Sequence, residues 1–441
     1  MTNQRALFTT KLGGILATVG SAVGLGNIWR FPTEAGENGG AAFLLIYFGF
    51  VLLLGTPLMM AEFMVGRATH RGAVSAMRQL SPHSGWFLWG YAGSITMLLI
   101  VSFYAVVAGW TLSYACFSVV DQLPDFQEYS TRLWMPLGFM TVFFLLNAGI
   151  LLGGVTKGIE RASNILMPIL ALFLVALCVN SLLLPGARQG LNYLFHPDFS
   201  KVNSHVIVSA LGQSFFSISC GIGCLLTYGS YLPDHTQLGK TALTITMLDT
   251  LIAVLAGVII FPACFSYNIT PDAGPGLAFI TLPTVFQQMP GGYFWSIIFF
   301  LLLVLAALTS SISLLEGPIA ILQEDFHMKR RTAVCVATTT GWVLGVLCSL
   351  SLYPELTAHL TIGGRTLFDL FDGLTADVLM PLLGFLMSLF VGWRLPKQFI
   401  VEQLTNSGVT SDWLVSVVLF ILRFFAPISI LLIFLSGLGL F

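Results

Sequence analysis

Apolar runs closed by short polar breaks recur along the whole chain. Each is about as long as the 20 or so residues a helix needs to cross a hydrocarbon core. Eleven such runs stand out, at 11–36, 41–66, 86–120, 133–153, 161–184, 206–231, 240–268, 292–324, 332–353, 366–392 and 411–440. The apolar stretch 269–289 carries Pro271, Gly274, Pro275, Gly276 and Pro283, so it reads as a structured loop rather than a crossing. The pattern predicts an all-α protein with eleven transmembrane helices.

Composition sharpens this reading. Of 441 residues 56% are hydrophobic and 9% charged, against about 25% charged in an ordinary soluble domain. Too few polar groups are present to cover a globule, which excludes a water-soluble enzyme and a disordered chain. A net charge of −1 removes the electrostatic case for a nucleic-acid partner. The 44 glycines and 36 phenylalanines suit closely packed membrane helices. Seven cysteines fall in or beside apolar runs. Cys220 and Cys224 stand one helical turn apart, but two soft ligands without a third make a poor metal site. The histidines are unclustered loop residues, and no nucleophile–base pair or metal cluster sits at membrane depth, so an intramembrane enzyme is disfavoured.

Thirteen of the nineteen basic residues fall on one side if the N-terminus is cytoplasmic, and only Arg132, Arg188, Lys201 and Arg365 fall in the opposite loops. Positive charge is retained inside, so residues 1–10 are expected to form a cytoplasmic segment, without the features of a signal peptide. An odd number of spans puts the C-terminus outside.

Two spans carry glycine in their middle: Gly20-Ser21-Ala22-Val23-Gly24-Leu25-Gly26-Asn27 in the first, and Ser217-Ile218-Ser219-Cys220-Gly221-Ile222-Gly223 in the sixth. Glycine costs about 1 kcal/mol against alanine inside a helix. Unwound backbone at membrane depth is tolerated only where it lines a cavity or is buried in protein. The first and sixth spans are equivalent if 11–184 and 206–392 are two five-helix repeats, with 411–441 an additional span. Five crossings is an odd number, so the repeats must be inverted, an arrangement that points to a transporter site between the breaks.

The first span reads Ala22-Val23-Gly24-Leu25-Gly26-Asn27-Ile28-Trp29-Arg30-Phe31-Pro32 and is followed by Glu37-Asn38-Gly39-Gly40. Further on stand Lys157-Gly158-Ile159-Glu160-Arg161, Gly212-Gln213-Ser214-Phe215-Phe216-Ser217, Thr227-Tyr228 and Leu308-Thr309-Ser310-Ser311. Together, in this order over residues 5–392, they resemble the neurotransmitter:sodium symporter family. The departure is the absence of a twelfth helix, a feature shared with some bacterial members. The resemblance implies a LeuT-like 5+5 inverted repeat with helices 1 and 6 broken. It also implies sodium-coupled import of an amino acid across a bacterial inner membrane, by a monomer or weak homodimer.

Site residues follow from the resemblance. One sodium ion would be held by the Ala22 carbonyl with Asn27, Ser217 and Asp249. A second would be held by the carbonyls of Gly20, Val23 and Ala306 and the hydroxyls of Thr309 and Ser310. Taken alone, those two hydroxyls read more readily as helix groups bonding back to their own backbone, the commoner case in membrane helices. Asp249 lies in an uncharged stretch, and an ionised carboxylate at bilayer centre costs about 2.5–3.5 kcal/mol on insertion scales, so it is expected to have a partner. As a fixed negative charge it would replace the chloride that some relatives need, and no chloride is expected. The substrate carboxylate would meet sodium, the Leu25 and Gly26 amides and the Tyr104 hydroxyl; its ammonium group would meet the carbonyls of Ala22, Phe216 and Ser219. Gly24 stands where monoamine carriers have aspartate, which argues for an amino acid. Ile100, Phe216, Ile222, Ser310 and Leu314 would line a side-chain subsite suited to a neutral aliphatic or aromatic group, since a buried charge there has no counter-ion.

The resemblance further implies an outer ion pair, Arg30–Asp369, above an aromatic lid of Tyr104 and Phe216, and an inner pair, Arg5–Glu324, backed by Phe8, Tyr231 and Ser230. Gly158 and Pro168 match a motif at which relatives unwind the fifth helix and let water reach the second sodium. Glu62 is expected to bridge to the broken sixth span, and Glu316 to sit near the inner vestibule. Asp377 has no assigned role. A proton-coupled carrier, and a receptor that senses an amino acid without moving it, are the alternative readings.

Overall fold

The computed structural model describes residues 6–269, 275–405 and 412–438. Most of them are helical. Among the described residues nine helices are long and apolar enough to cross a membrane, and a tenth crossing results if Lys11–Ala22 and Gly26–Glu37, bent by 62°, are one broken span. The remaining apolar segment is divided into Ser204–Ser217 and Cys224–Gly229.

The most buried of the nine long helices is Gly292–Glu324, 33 residues long, which packs along the equally long Phe87–Val119. Lys11–Ala22 and Arg161–Leu182 lie against the same central helix. Small residues permit the close approach. A side chain at Gly93 would meet the Ile222 carbonyl oxygen at 2.3 Å, and one at Gly317 would meet Met97 at 2.5 Å.

The first break has a local cause at each side. Thr10 caps Lys11–Ala22, its hydroxyl accepting from the Gly13 amide at 2.9 Å. Winding stops at Val23, where ψ turns to 117°, and resumes in a wide turn over Gly26–Arg30 that leads into Phe31–Glu37. The second break needs left-handed backbone. Ser219, Gly221 and Gly223 have φ of 52°, 94° and 87°. At Gly221 a Cβ would also fall 2.7 Å from the Gly384 Cα, so glycine is required there twice over. The amides freed by this break are satisfied by the buried Glu62, which accepts from Gly221 and, at 2.9 Å, from Leu226. A carboxylate at the start of a helix answers both its unpaired donors and its dipole.

Three expectations change. The stretch read as a loop at 269–289 lies partly outside the described residues; the rest contains Leu277–Thr281 and the helix Leu282–Gln288. Pro283 is the second residue of that helix, in the turn where the π-wound backbone gives way to regular α-helix and a missing N–H is tolerated. The fifth span is wound throughout: Val155–Glu160 forms a wide π-turn containing Gly158, and Arg161–Leu182 runs on with Pro168 inside it. The expected opening between Gly158 and Pro168 is absent in this conformation. Finally, a two-stranded hairpin, Thr361–Ile362 with Arg365–Thr366, precedes the tenth span; Gly363 and Gly364 both take positive φ at its turn.

Candidate substrate and ion site

Between the two breaks lies a cavity of about 640 Å³, within the size range of small-molecule sites. All ten residues proposed for the substrate line it: Ala22, Leu25, Gly26, Ile100, Tyr104, Phe216, Ser219, Ile222, Ser310 and Leu314. At its centre the Tyr104 hydroxyl accepts from the Leu25 amide at 3.3 Å. A Cβ on Gly24 would sit 3.0 Å from the Ser310 hydroxyl and 3.1 Å from that of Tyr104. The absence of a side chain at Gly24 is therefore what leaves space between these two hydroxyls and an exposed turn of backbone.

Beside the cavity three buried side chains converge. The Asn27 amide nitrogen donates to Asp249 at 2.8 Å and to Ser217 at 3.2 Å, and the Ser217 hydroxyl donates to the other Asp249 oxygen at 2.6 Å. The Asn27 carbonyl oxygen accepts from the Gly24 amide at 2.9 Å. The expectation that Asp249 has partners is met from both breaks at once. Tyr47 and Thr250 adjoin this group, and the sequence reading had not singled them out. Oxygen-rich and anionic, the cluster has the chemistry of a hard monovalent cation site.

A second oxygen cluster lies one helix away. The Ser310 hydroxyl reaches the carbonyls of Val23 at 2.8 Å, Ser21 at 3.3 Å and Gly20 at 3.5 Å. Thr309 packs against Gly20, to whose Cβ position its own Cβ would be 3.0 Å, while its hydroxyl donates to Leu305 and Ala306 in its own helix at 3.0 and 3.1 Å. The back-bonding alternative thus describes the Thr309 hydroxyl in this conformation. Thr309 still stands beside Gly20, and the Ala306 carbonyl is the one its hydroxyl meets.

The cavity opens at one end, the mouth, where Arg30, Asp369, Phe368 and Asp372 line it. Arg30 and Asp369 do not form an ion pair here. The Arg30 guanidinium lies over the Phe216 ring, 4.5 Å from its centroid, in electrostatic reach of Asp372 and Asp377. Asp369 instead pairs with the Thr366 hydroxyl that caps its own helix: its carboxylate accepts from that hydroxyl at 2.7 Å, and its amide donates to the same oxygen at 3.1 Å.

The opposite, basal end is closed. Phe8 is buried, its amide donates to the Tyr231 carbonyl at 2.9 Å, and its ring meets Tyr228 and Tyr231 edge-on. Glu324 accepts from the Gly72 amide at 2.9 and 3.0 Å; Arg5, its expected partner, lies outside the described residues. Asp325, the adjacent carboxylate, is taken up by Arg78, Ser75 and Tyr91. Glu316 is fully buried and held by Tyr231 at 2.6 Å and by Arg330 in a 2.6 Å ion pair. Glu160, unremarked in the sequence beyond its motif, clasps the start of the first helix: Thr9 and Thr10 each donate an amide and a hydroxyl to it at 2.7–3.2 Å.

Comparison with known proteins agrees with this geometry. The model of the sodium:neurotransmitter symporter family matches residues 5–135 and 135–440. The chain is 35% identical over 450 residues to the uncharacterized sodium-dependent transporter YhdH of Bacillus subtilis, covering 100% of this chain and 99% of that one. It is 33% identical over 458 residues to an uncharacterized sodium-dependent transporter of Haemophilus influenzae, covering 99% and 98%. Among solved structures it is similar to MhsT in complex with L-phenylalanine. That match has a TM-score of 0.89 and 40% identity, and covers 98% of this chain and 100% of the other.

Proposed function

The chain belongs to the sodium:neurotransmitter symporter family and is a sodium-dependent membrane transporter, not an enzyme; from that premise we propose that it imports a neutral hydrophobic or aromatic amino acid with two sodium ions by alternating access. The observation that carries this reading is the juxtaposition of the Asn27–Ser217–Asp249 cluster with the unwound Gly24–Leu25 backbone and Tyr104. A zwitterion needs donors for its carboxylate and acceptors for its ammonium group, and the two breaks offer both within one cavity. MhsT, with L-phenylalanine bound, supports the amino-acid assignment.

The first sodium would take the Ala22 carbonyl and the side chains of Asn27, Ser217 and Asp249; the second would take the Gly20, Val23 and Ala306 carbonyls with Thr309 and Ser310. Coupling of the two binding events is then thermodynamic. The substrate carboxylate completes the first ion's shell, so substrate binds well only when sodium is present. Asp249 supplies the negative charge that chloride would otherwise bring, which supports chloride independence.

The excess of basic residues supports a cytoplasmic basal end and an external mouth. Nine long helices plus the two broken segments support eleven crossings, arranged as inverted repeats over 11–184 and 206–392 with an additional span at 411–441. Pairing of Arg30 with Asp369 would shut the mouth, and unwinding between Gly158 and Pro168 would release the second sodium at the base.

Uptake of radiolabelled amino acids into proteoliposomes tests the proposal. Accumulation should require an inward sodium gradient and persist when gluconate replaces chloride. Uptake driven by a pH gradient without sodium would favour the proton-coupled carrier, and binding without accumulation would favour the receptor.

A further inference from the structure

The deep end of the cavity is less apolar than its walls. Ile100, Ile222 and Leu314 form the walls, but Ser21, Cys224 and Ser313 also line the cavity, from three separate elements. Ser21 is the penultimate residue of Lys11–Ala22, Cys224 opens the helix Cys224–Gly229, and Ser313 belongs to Gly292–Glu324. Each is at most 2% exposed. The Ser21 hydroxyl and Cys224 thiol are 3.4 Å apart, and the thiol also meets the Ser313 hydroxyl. The Ser313 hydroxyl donates to the Ser310 carbonyl at 2.7 Å.

That last bond fixes the chemistry. With its proton committed to the backbone, Ser313 has only lone pairs left to present, and the Ser21–Cys224 pair, with one bond made between its members, keeps more lone pairs than donors. The floor therefore accepts hydrogen bonds better than it donates them. Ser313 lies three residues along the helix from Ser310 and one before Leu314, and both of those line the expected side-chain subsite.

We infer that Ser21, Cys224 and Ser313 form a specificity-determining floor that selects an aromatic amino acid carrying a ring O–H or N–H, a phenol or an indole, over phenylalanine or leucine. The inference rests on the amino-acid reading of the site given above. A purely apolar pocket discriminates poorly against an added hydroxyl, whereas one with a placed acceptor favours it. One neutral hydrogen bond in a desolvated site corresponds to a preference of about threefold to tenfold.

The test is equilibrium binding of tyrosine, tryptophan, phenylalanine and leucine to the purified full-length protein in saturating sodium. Tyrosine and phenylalanine differ by one hydroxyl, so their affinity ratio isolates the floor. The expected result is tyrosine and tryptophan ahead of phenylalanine by about threefold to tenfold, with the ratio falling to near one in Ser313→Ala and in Ser21→Ala, each serving as a check on the other's folding. Binding led by phenylalanine or leucine, or a tyrosine preference that survives both substitutions, overturns the role of the floor alone. Failure of every amino acid to bind the native protein overturns the proposed function and the floor together.

Discussion

Replacing Gly24 by alanine separates a binding site from a packing site with one methyl group. Its φ is outside the left-handed region, so alanine fits the backbone, and the whole effect comes from what the new Cβ meets. It would lie 3.0 Å from the Ser310 hydroxyl and 3.1 Å from the Tyr104 hydroxyl. Both are a few tenths of an ångström inside ordinary contact, so both hydroxyls must move. The Tyr104–Leu25 bond is already 3.3 Å long and would be the first to go. With it goes the expected Tyr104 contact to the substrate carboxylate, a charge-assisted hydrogen bond worth about 1.5–3 kcal/mol. The expected result is amino-acid binding weaker by about ten- to hundredfold, with little change in unfolding temperature. Gly26→Ala is the control, because its Cβ would meet only the Phe216 ring, at 3.5 Å, and should cost a few-fold at most. Scintillation-proximity binding in sodium chloride, with thermal unfolding of the same samples, reads both quantities. Equal losses in the two variants, or Gly24→Ala binding within about threefold of the native protein, would refute the assignment of the carboxylate position.

Three further substitutions probe what holds the breaks and the closed base. Glu62→Ala leaves the Gly221 and Leu226 amides without their buried acceptor and should lower stability by about 3 kcal/mol, read as a drop in unfolding temperature that Glu62→Gln reduces; an unchanged transition would contradict it. Arg330→Ala strands the fully buried Glu316 carboxylate and should cost about 3–5 kcal/mol, whereas Arg330→Met combined with Glu316→Leu should recover most of that. A double variant no better than the single would show the ion pair itself to be stabilising. Glu160→Ala removes all four bonds to Thr9 and Thr10 and should speed amide exchange over residues 9–14 without altering exchange in the distant hairpin 361–366; unchanged exchange at the N-terminal helix would show that the clasp does not hold it.

Both breaks were legible in the sequence because their cost is local. Glycine clustered mid-span can be read as unwinding, and the long spans flanking them are fixed by length and apolarity alone. The ten substrate-lining positions came from motif register, which a helix of fixed rise preserves over its whole length. Conformation was not legible in the same way. Arg30 and Asp369 have the right charges and positions, yet one lies over Phe216 and the other bonds to a helix cap, because charge type does not say which of two partners a flexible side chain takes. Pro168 sits in a wound helix, since a residue pattern that permits unwinding does not compel it. Pro283 misled for the opposite reason: a proline that breaks a regular helix interior is accommodated in the first turn of a helical segment, here just after a π-turn. The Ser21–Cys224–Ser313 floor was invisible because its members are far apart in sequence, and each alone is an ordinary small residue of a membrane helix.

The central claim is that a carboxylate fixed between two broken helices ties amino-acid binding to sodium. The most direct measurement is substrate affinity as a function of sodium concentration, in gluconate buffer, for the native protein and Asp249→Ala. The account predicts affinity that rises steeply with sodium in the native protein and a loss of that dependence, by at least about tenfold at saturating sodium, in the variant. Sodium-dependent binding that survives the substitution intact would contradict it.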